Sequence, residues 1–153
     1  MKHLNPGDIA PNFTGKNQDN IDISLSSFKG KKIIIYFYPK DMTPGCTMQS
    51  CNLRDNYKEL LEAGFDIIGI SADSIERHKK FEKKYDLPFN LIADTDHTIL
   101  NKYGVWGEKK FMGRTYDGIH RMTFLINESG IIEHIIEKVK TKYHTEQILN
   151  LYK

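Results

Sequence analysis

Cys46 and Cys51 are the only cysteines of this chain. They share one short stretch, Pro39-Lys40-Asp41-Met42-Thr43-Pro44-Gly45-Cys46, with Cys51 five residues further on. The chemistry open to such a pair is thiol redox chemistry. Thr43 followed by Pro44 reads as a helix N-cap and a proline at the first helical position, where its missing N–H costs nothing. Cys46 then takes the third helical position. First-turn N–H groups lack intrahelical partners, and the helix dipole adds about half a positive charge there. Both favour the thiolate, which is the nucleophile. Cys46 also falls on the apolar stripe of the helix, seven residues before Leu53, a position that suits a packed core cysteine equally well.

Cys51 discriminates further. In a regular helix, residues five apart have Cα atoms about 8.6 Å from each other, whereas a disulfide needs roughly 4.4–6.8 Å. The two thiols cannot bond while the helix is intact. Two readings stay open: unrelated helical cysteines, or a switch in which oxidised Cys46 is resolved by Cys51 after local unwinding. The spacing C-x-x-x-x-C also departs from the C-x-x-C of thioredoxin-fold protein disulfide oxidoreductases.

The elements that must position these thiols follow from the pattern of apolar and turn residues. Ile33 to Tyr38 is a continuous β-branched and aromatic run, suited to a central strand covered on both faces. Pro39 stops it, and the helix that follows carries Leu53, Tyr57, Leu60 and Leu61 on one stripe before Gly64 closes it. Phe65 to Ser71 is a second strand. Asp73, with Glu76 three residues on, opens a helix bearing Ile75, His78, Phe81 and Tyr85. A short strand over Phe89–Ile92 and a brief helix over His97–Tyr103 come next. Gly104 to Gly118 reads as an extended surface segment. Met122–Asn127 and Ile131–Val139 flank an Asn127-Glu128-Ser129-Gly130 turn, and a last helix covers His144–Tyr152. Ahead of all this, Phe13-Thr14 and Ile21-Asp22-Ile23 can pair as a small hairpin. The order predicts an α/β fold, a thioredoxin-like three-layer sandwich with an N-terminal β-hairpin extension, as one domain over residues 1–153.

Composition excludes several classes. Hydrophobic residues make up 39% and charged residues 27%, and the formal charge is +2. That balance, with lysines spread along the chain, argues against nucleic acid or an anionic membrane as partner. The longest apolar run is far short of the roughly 20 residues of a membrane span. The first eight residues hold no apolar signal core, so a cytoplasmic location is expected. Thiols there are kept reduced, which permits a transient catalytic disulfide and disfavours a permanent one. Two cysteines and six scattered histidines make no zinc-ligand spacing, so no metal is expected.

Several motifs in order resemble one known family. Pro39-x-x-x-Thr43-x-x-Cys46 with Cys51 is similar to the active-site run of the peroxiredoxins, in their bacterioferritin comigratory protein (PrxQ) subgroup. Asn5-Pro6-Gly7-Asp8-Ile9-Ala10-Pro11-Asn12-Phe13 resembles the family's opening. Tyr103-Gly104-Val105-Trp106-Gly107-Glu108-Lys109 and Gly118-Ile119-His120-Arg121-Met122-Thr123-Phe124-Leu125-Ile126 resemble its later signatures. The resemblance covers nearly the whole chain.

It implies a thiol peroxidase with no metal and no organic cofactor. Cys46 would be the peroxidatic cysteine, attacking hydrogen peroxide or an organic hydroperoxide, and Cys51 the resolving cysteine. Thr43 would hydrogen-bond the substrate oxygen, Pro39 would shield the pocket from water, and Arg121 would hold the thiolate and polarise the peroxide. The expected reductant is thioredoxin, with glutaredoxin as the alternative, and the expected state is a monomer or weak dimer, because both thiols lie in one helix. Met122 stands where the family often has serine, and Asn127 where it often has aspartate. Trp106 and Phe111 are placed either along the approach to the pocket or in packing on the sheet edge. His78, His97, His120 and His134 read as surface or core fillers. The competing class is a redox-sensing interaction module, which would oxidise once without consuming peroxide.

Overall fold

The structure, a computed structural model, describes residues 3–153. Seven strands form one sheet in the order β2-β1-β5-β4-β3-β8-β9. Its centre is β3 (Lys32–Phe37) paired in parallel with β4 (Phe65–Ser71), which pairs in parallel with β5 (Asn90–Ala93). On the other side of β3 runs β8 (Met122–Ile126), antiparallel, followed by β9 (Ile132–Ile136). The expected N-terminal hairpin is present as β1 (Thr14–Lys16) and β2 (Asp22–Ser24), added to the edge through β5.

The apolar run of β3 is buried on both faces, and its period of two splits the core. Ile33, Ile35 and Phe37 join Ile68, Ile70, Ile92 and Phe124 beneath α4 (Thr98–Lys102). Ile34 and Tyr36, with Tyr38 just beyond, join Cys46, Leu53, Phe81, Leu125 and Ile148. This second face is covered by α1 (Pro44–Asp55), α2 (Tyr57–Glu62), α3 (Ile75–Tyr85) and α5 (His144–Asn150). The result is the thioredoxin-like three-layer arrangement. Each layer boundary excludes water from side chains worth roughly 1.5–3 kcal/mol apiece when fully buried.

Three expectations are corrected. The helix after Cys46 is not one element: it breaks at Asn56, whose side chain donates to the Asn52 carbonyl at 2.8 Å and whose backbone leaves helical geometry. An asparagine that bonds the preceding turn competes with the backbone ladder. Leu53 and Leu60 are buried, whereas Leu61 is turned to solvent. The N-cap of α3 is Ser74, whose hydroxyl accepts from the Arg77 N–H; Asp73 instead turns inward. Finally, Gly104 to Gly118 is largely a two-stranded hairpin, β6 (Trp106–Phe111) with β7 (Arg114–Ile119). Its two-residue turn places Met112 and Gly113 at φ of 50° and 79°, the left-handed pair that matches strand twist. No helix among the described residues is long and apolar enough to cross a membrane.

Candidate active site

The sheet register builds the site. β8 runs antiparallel to β3 with Met122 opposite Phe37, so Arg121 lies beside the end of β3 from which the chain passes through Pro39–Thr43 into α1. Two residues 75 apart in sequence thereby meet: Nη2 of Arg121 donates to Sγ of Cys46 at 3.2 Å. The second arm of the guanidinium donates to Oε1 of Gln49 at 2.6 Å. Gln49, three residues after Cys46 on the same helix face, is wholly buried, and its Nε2 has no partner among the described residues. Gly45 admits this arrangement, because a Cβ there would lie 3.3 Å from Nη2 of Arg121.

Cys46 is 1% exposed and belongs to the core face of α1. It is both the packed cysteine and the one that accepts from Arg121. α1 is regular from Pro44 to Asp55, so both thiols are free, with Cys51 half-buried. Burial pushes the Cys51 thiol up, against the pull of Arg54 and with a smaller contribution from Asp55.

Thr43 takes the N-cap backbone conformation, but its side chain does not cap. Its hydroxyl donates to the Lys40 carbonyl at 2.7 Å, leaving the oxygen's lone pairs as acceptors. Pro39 lines a cavity of about 390 Å³ together with Ala72, Trp106, Lys109, Tyr116 and Ile119. Arg121, His120, Met122 and Glu137 line a neighbouring one of about 440 Å³, and Lys109 borders both. Lys109 crosses above Gly118 to donate to the Ile119 carbonyl at 2.9 Å. Burial and the positive Arg121 lower its pKa, partly offset by Cys46. A further cavity of about 400 Å³, at the far end of β3 near Ile33 and Ile131, is lined by neither thiol.

Trp106 therefore lines the cavity beside Pro39, stacked on His97 with ring centroids 3.9 Å apart. Phe111 is 65% exposed and lines neither cavity. The histidines have partners that sequence reading missed. His120 donates from Nε2 to the Glu108 carbonyl, and His134 meets Tyr152 edge to face. His78 is buried against Asp41. Asp41, Asp73 and His78 are the one grouping of metal-ligand types among the described residues. Their polar atoms are engaged with Tyr38, Ser71, Arg77, one another and backbone groups. Each of these ligand atoms thus already has a partner within the protein. Gln49 was the missed residue within reach of sequence reasoning, since its i+3 spacing from Cys46 puts it on the thiol's face.

A buried thiol at a helix start, gripped by an arginine on a thioredoxin-like sheet, defines a thiol peroxidase of the AhpC/TSA family, to which the chain belongs: that family's model matches residues 6–135. Within it the chain is a peroxiredoxin of the Bcp (PrxQ) kind. It is 50% identical to peroxiredoxin Bcp of Escherichia coli over 153 residues, covering all of this chain and 98% of that one. Among solved structures, a cysteine-to-serine variant of PrxQ from Xylella fastidiosa matches with a TM-score of 0.92 at 28% identity, over 99% of this chain and 97% of that one. The Xanthomonas campestris bacterioferritin comigratory protein, in a structure titled for its alkyl peroxide reduction activity and a trapped intermediate/ligand complex, matches with a TM-score of 0.85 at 32% identity. That match covers 91% of this chain and 88% of the other.

Proposed function

We propose that Cys46 is the peroxidatic nucleophile and Cys51 the resolving thiol, with alkyl hydroperoxides and hydrogen peroxide as substrates. The observation that carries this reading is the 3.2 Å contact from Arg121 to the buried Cys46 sulfur, with Cys51 poised but unbonded in the same helix. The Cys46 thiolate attacks one peroxide oxygen and the O–O bond breaks. Cys46 becomes a sulfenic acid and the distal oxygen leaves as alkoxide or hydroxide, to be protonated to alcohol or water. Donors aimed at that developing charge supply the acceleration, and Arg121, always charged and forked, suits the role. Thr43, its own proton committed to Lys40, accepts a hydrogen bond from the hydroperoxide O–H. Pro39 keeps bulk water from the sulfur.

Resolution follows when α1 unwinds. The Cys51 thiolate attacks the sulfenic sulfur, a disulfide forms and water leaves. An external dithiol then reduces the disulfide and is itself oxidised. Thioredoxin is the proposed reductant, glutaredoxin the other candidate, and a reducing cytoplasm the setting. The cycle closes within one chain, so a monomer suffices. The alkyl peroxide reduction named for the Xanthomonas protein supports the substrate class.

The test is peroxide consumption coupled to a thioredoxin system. Cys46→Ser is expected to abolish it. Cys51→Ser is expected to form one sulfenic acid per chain and then stop. Full activity in Cys46→Ser would overturn the reading, and full turnover in Cys51→Ser would overturn the resolving role. A sensor module would oxidise once even in the native protein.

A further inference from the structure

The loop between β3 and α1 is pinned from beneath by a buried carboxylate that the peroxidase chemistry does not use. Asp41 is 1% exposed, while Lys40 and Met42 on either side face solvent. Its backbone N–H donates to Oδ2 of Asp73 at 2.8 Å, and its Oδ1 accepts from the Tyr38 hydroxyl at 2.6 Å. Its Oδ2 lies 2.6 Å from Nδ1 of His78, on α3. The other ring nitrogen, Nε2, lies 3.0 Å from the Ile92 carbonyl on β5. Directly after Asp41 the chain turns through Met42 at φ 68°, a conformation L side chains rarely adopt without surrounding restraint.

The two bonds of His78 fix its protonation by hydrogen-bond counting. A carbonyl oxygen only accepts, so Nε2 carries a hydrogen. A carboxylate oxygen also only accepts, so a proton must lie between Nδ1 and Oδ2. His78 and Asp41 together therefore hold one more proton than a neutral imidazole beside an ionised carboxylate. Losing it would leave a net negative charge buried beside the carboxylate of Asp73.

The charged and titratable surroundings are few. From β3 comes Tyr36, and from just beyond it the stacked Tyr38; burial raises both phenols well above their usual range, so they stay neutral donors. From the start of α3 come Asp73 and Arg77, joined at 3.0 Å. Arg77 reaches on to the Asp41 carbonyl at 3.4 Å.

We propose that Asp41 and His78 form a proton-held latch. It positions the active-site loop and the first turn of α1, and its release accompanies the unwinding that lets Cys51 reach Cys46. The latch rests on the resolving role proposed above only for its purpose, not for its existence. When the element opens and water separates the two groups, a free imidazole and a free carboxylate titrate near 6.5 and 3.9. The shared proton is then lost above about pH 6.5. The closed state binds more protons than the open one, so closure is fully favoured below about 6.5 and weakens as pH rises. With the closed pair retaining its proton, the opening constant rises about threefold from pH 6 to 7 and about eightfold from 7 to 8.

The experiment is native-state hydrogen exchange on the reduced, full-length protein. Amides of the Asp41 loop and the first turns of α1 are followed at pH 6, 7 and 8, corrected for intrinsic exchange chemistry. Asp41→Asn is the informative variant. Its amide can donate to a neutral His78 ring and still accept from Tyr38, so the closed latch keeps its bonds without the shared proton. The expected result is a pH slope lower than wild type by about tenfold over each of the two steps, because the opened ring gains a proton below about 6.5 where the wild-type pair loses one above it. The thiols titrate in both proteins, so the difference isolates the latch. His78→Gln leaves no group of the pair titrating between pH 6 and 8, so its slope is expected to fall below wild type by about threefold and then eightfold, and it serves should the first variant fold poorly. Equal slopes in the variant and wild type would overturn the proposal. A failure of the resolving role would show separately, as turnover surviving in Cys51→Ser.

Discussion

Replacing Arg121 with methionine keeps an unbranched stem of similar reach and removes the guanidinium. Two contacts go with it: the 3.2 Å bond to the Cys46 sulfur and the 2.6 Å bond to Gln49. A hydrogen bond to a charged group contributes a net ~1.5–3 kcal/mol. If that stabilisation is carried into the transition state for O–O cleavage, its loss slows Cys46 oxidation by roughly 10- to 150-fold at 1.36 kcal/mol per decade. The Gln49 bond acts on stability instead. With Arg121 gone, both polar ends of a buried amide lack partners, costing about 1–3 kcal/mol, or a few degrees in Tm for a domain of this size. The two effects separate experimentally. Sulfenic acid formation after mixing with hydrogen peroxide is timed by stopped flow in a Cys51→Ser background, where no disulfide intervenes. Melting curves are taken on the same samples. Adding Gln49→Met to Arg121→Met removes the orphaned amide and is expected to return most of the lost Tm while the rate stays low. An oxidation rate within threefold of the parent in Arg121→Met would refute the assigned role of this arginine.

Two other perturbations have signs fixed by the structure. Gly45→Ala relieves a backbone-entropy cost in α1 of up to about 1 kcal/mol, yet its Cβ would lie 3.3 Å from Nη2 of Arg121, which must give way; the peroxide rate should fall severalfold, and a rate equal to the parent would refute the close fit. His144, buried and bonded to Thr123 and Gln147, has its imidazole pushed down to about 4 by burial, opposed by Gln147 and aided by the charge of Arg121. The unfolded chain takes up a proton near 6.5 and the folded one does not. This contribution is therefore complete above about pH 6.5 and lost as pH falls towards 4, by about 3 kcal/mol. Urea melts at pH 7 and pH 4.5 should lose less stability on acidification in His144→Gln than in the parent, and equal losses would refute it.

What was legible in the sequence was local. Pro39, Thr43-Pro44 and Gly64 mark where the central strand stops and helix begins and ends, because proline and glycine act through their own backbone angles. The five-residue spacing of Cys46 and Cys51 forbids a disulfide in an intact helix for the same reason: rise and rotation are fixed per residue. The break at Asn56 and the turn at Met112-Gly113 escaped, since side-chain bonding and turn conformation compete with the apolar period that was read. Arg121 was singled out only through likeness to a family, because nothing within ten residues of it states what it will face. Its meeting with Cys46 depends on β8 lying antiparallel to β3 in one register. A one-residue slip would turn every side chain of that strand to the other face. His78 carried even less local signal, an apparent filler on the apolar stripe of α3. Only the packing of α3 across β4 and β5 brings its two nitrogens to acceptors on separate elements. Sequence determined which group could be the nucleophile and that its partner thiol must wait. Tertiary structure decided what that thiol is bonded to and which groups pin the loop ahead of its helix, because those groups come from distant strands and helices whose register no local pattern encodes.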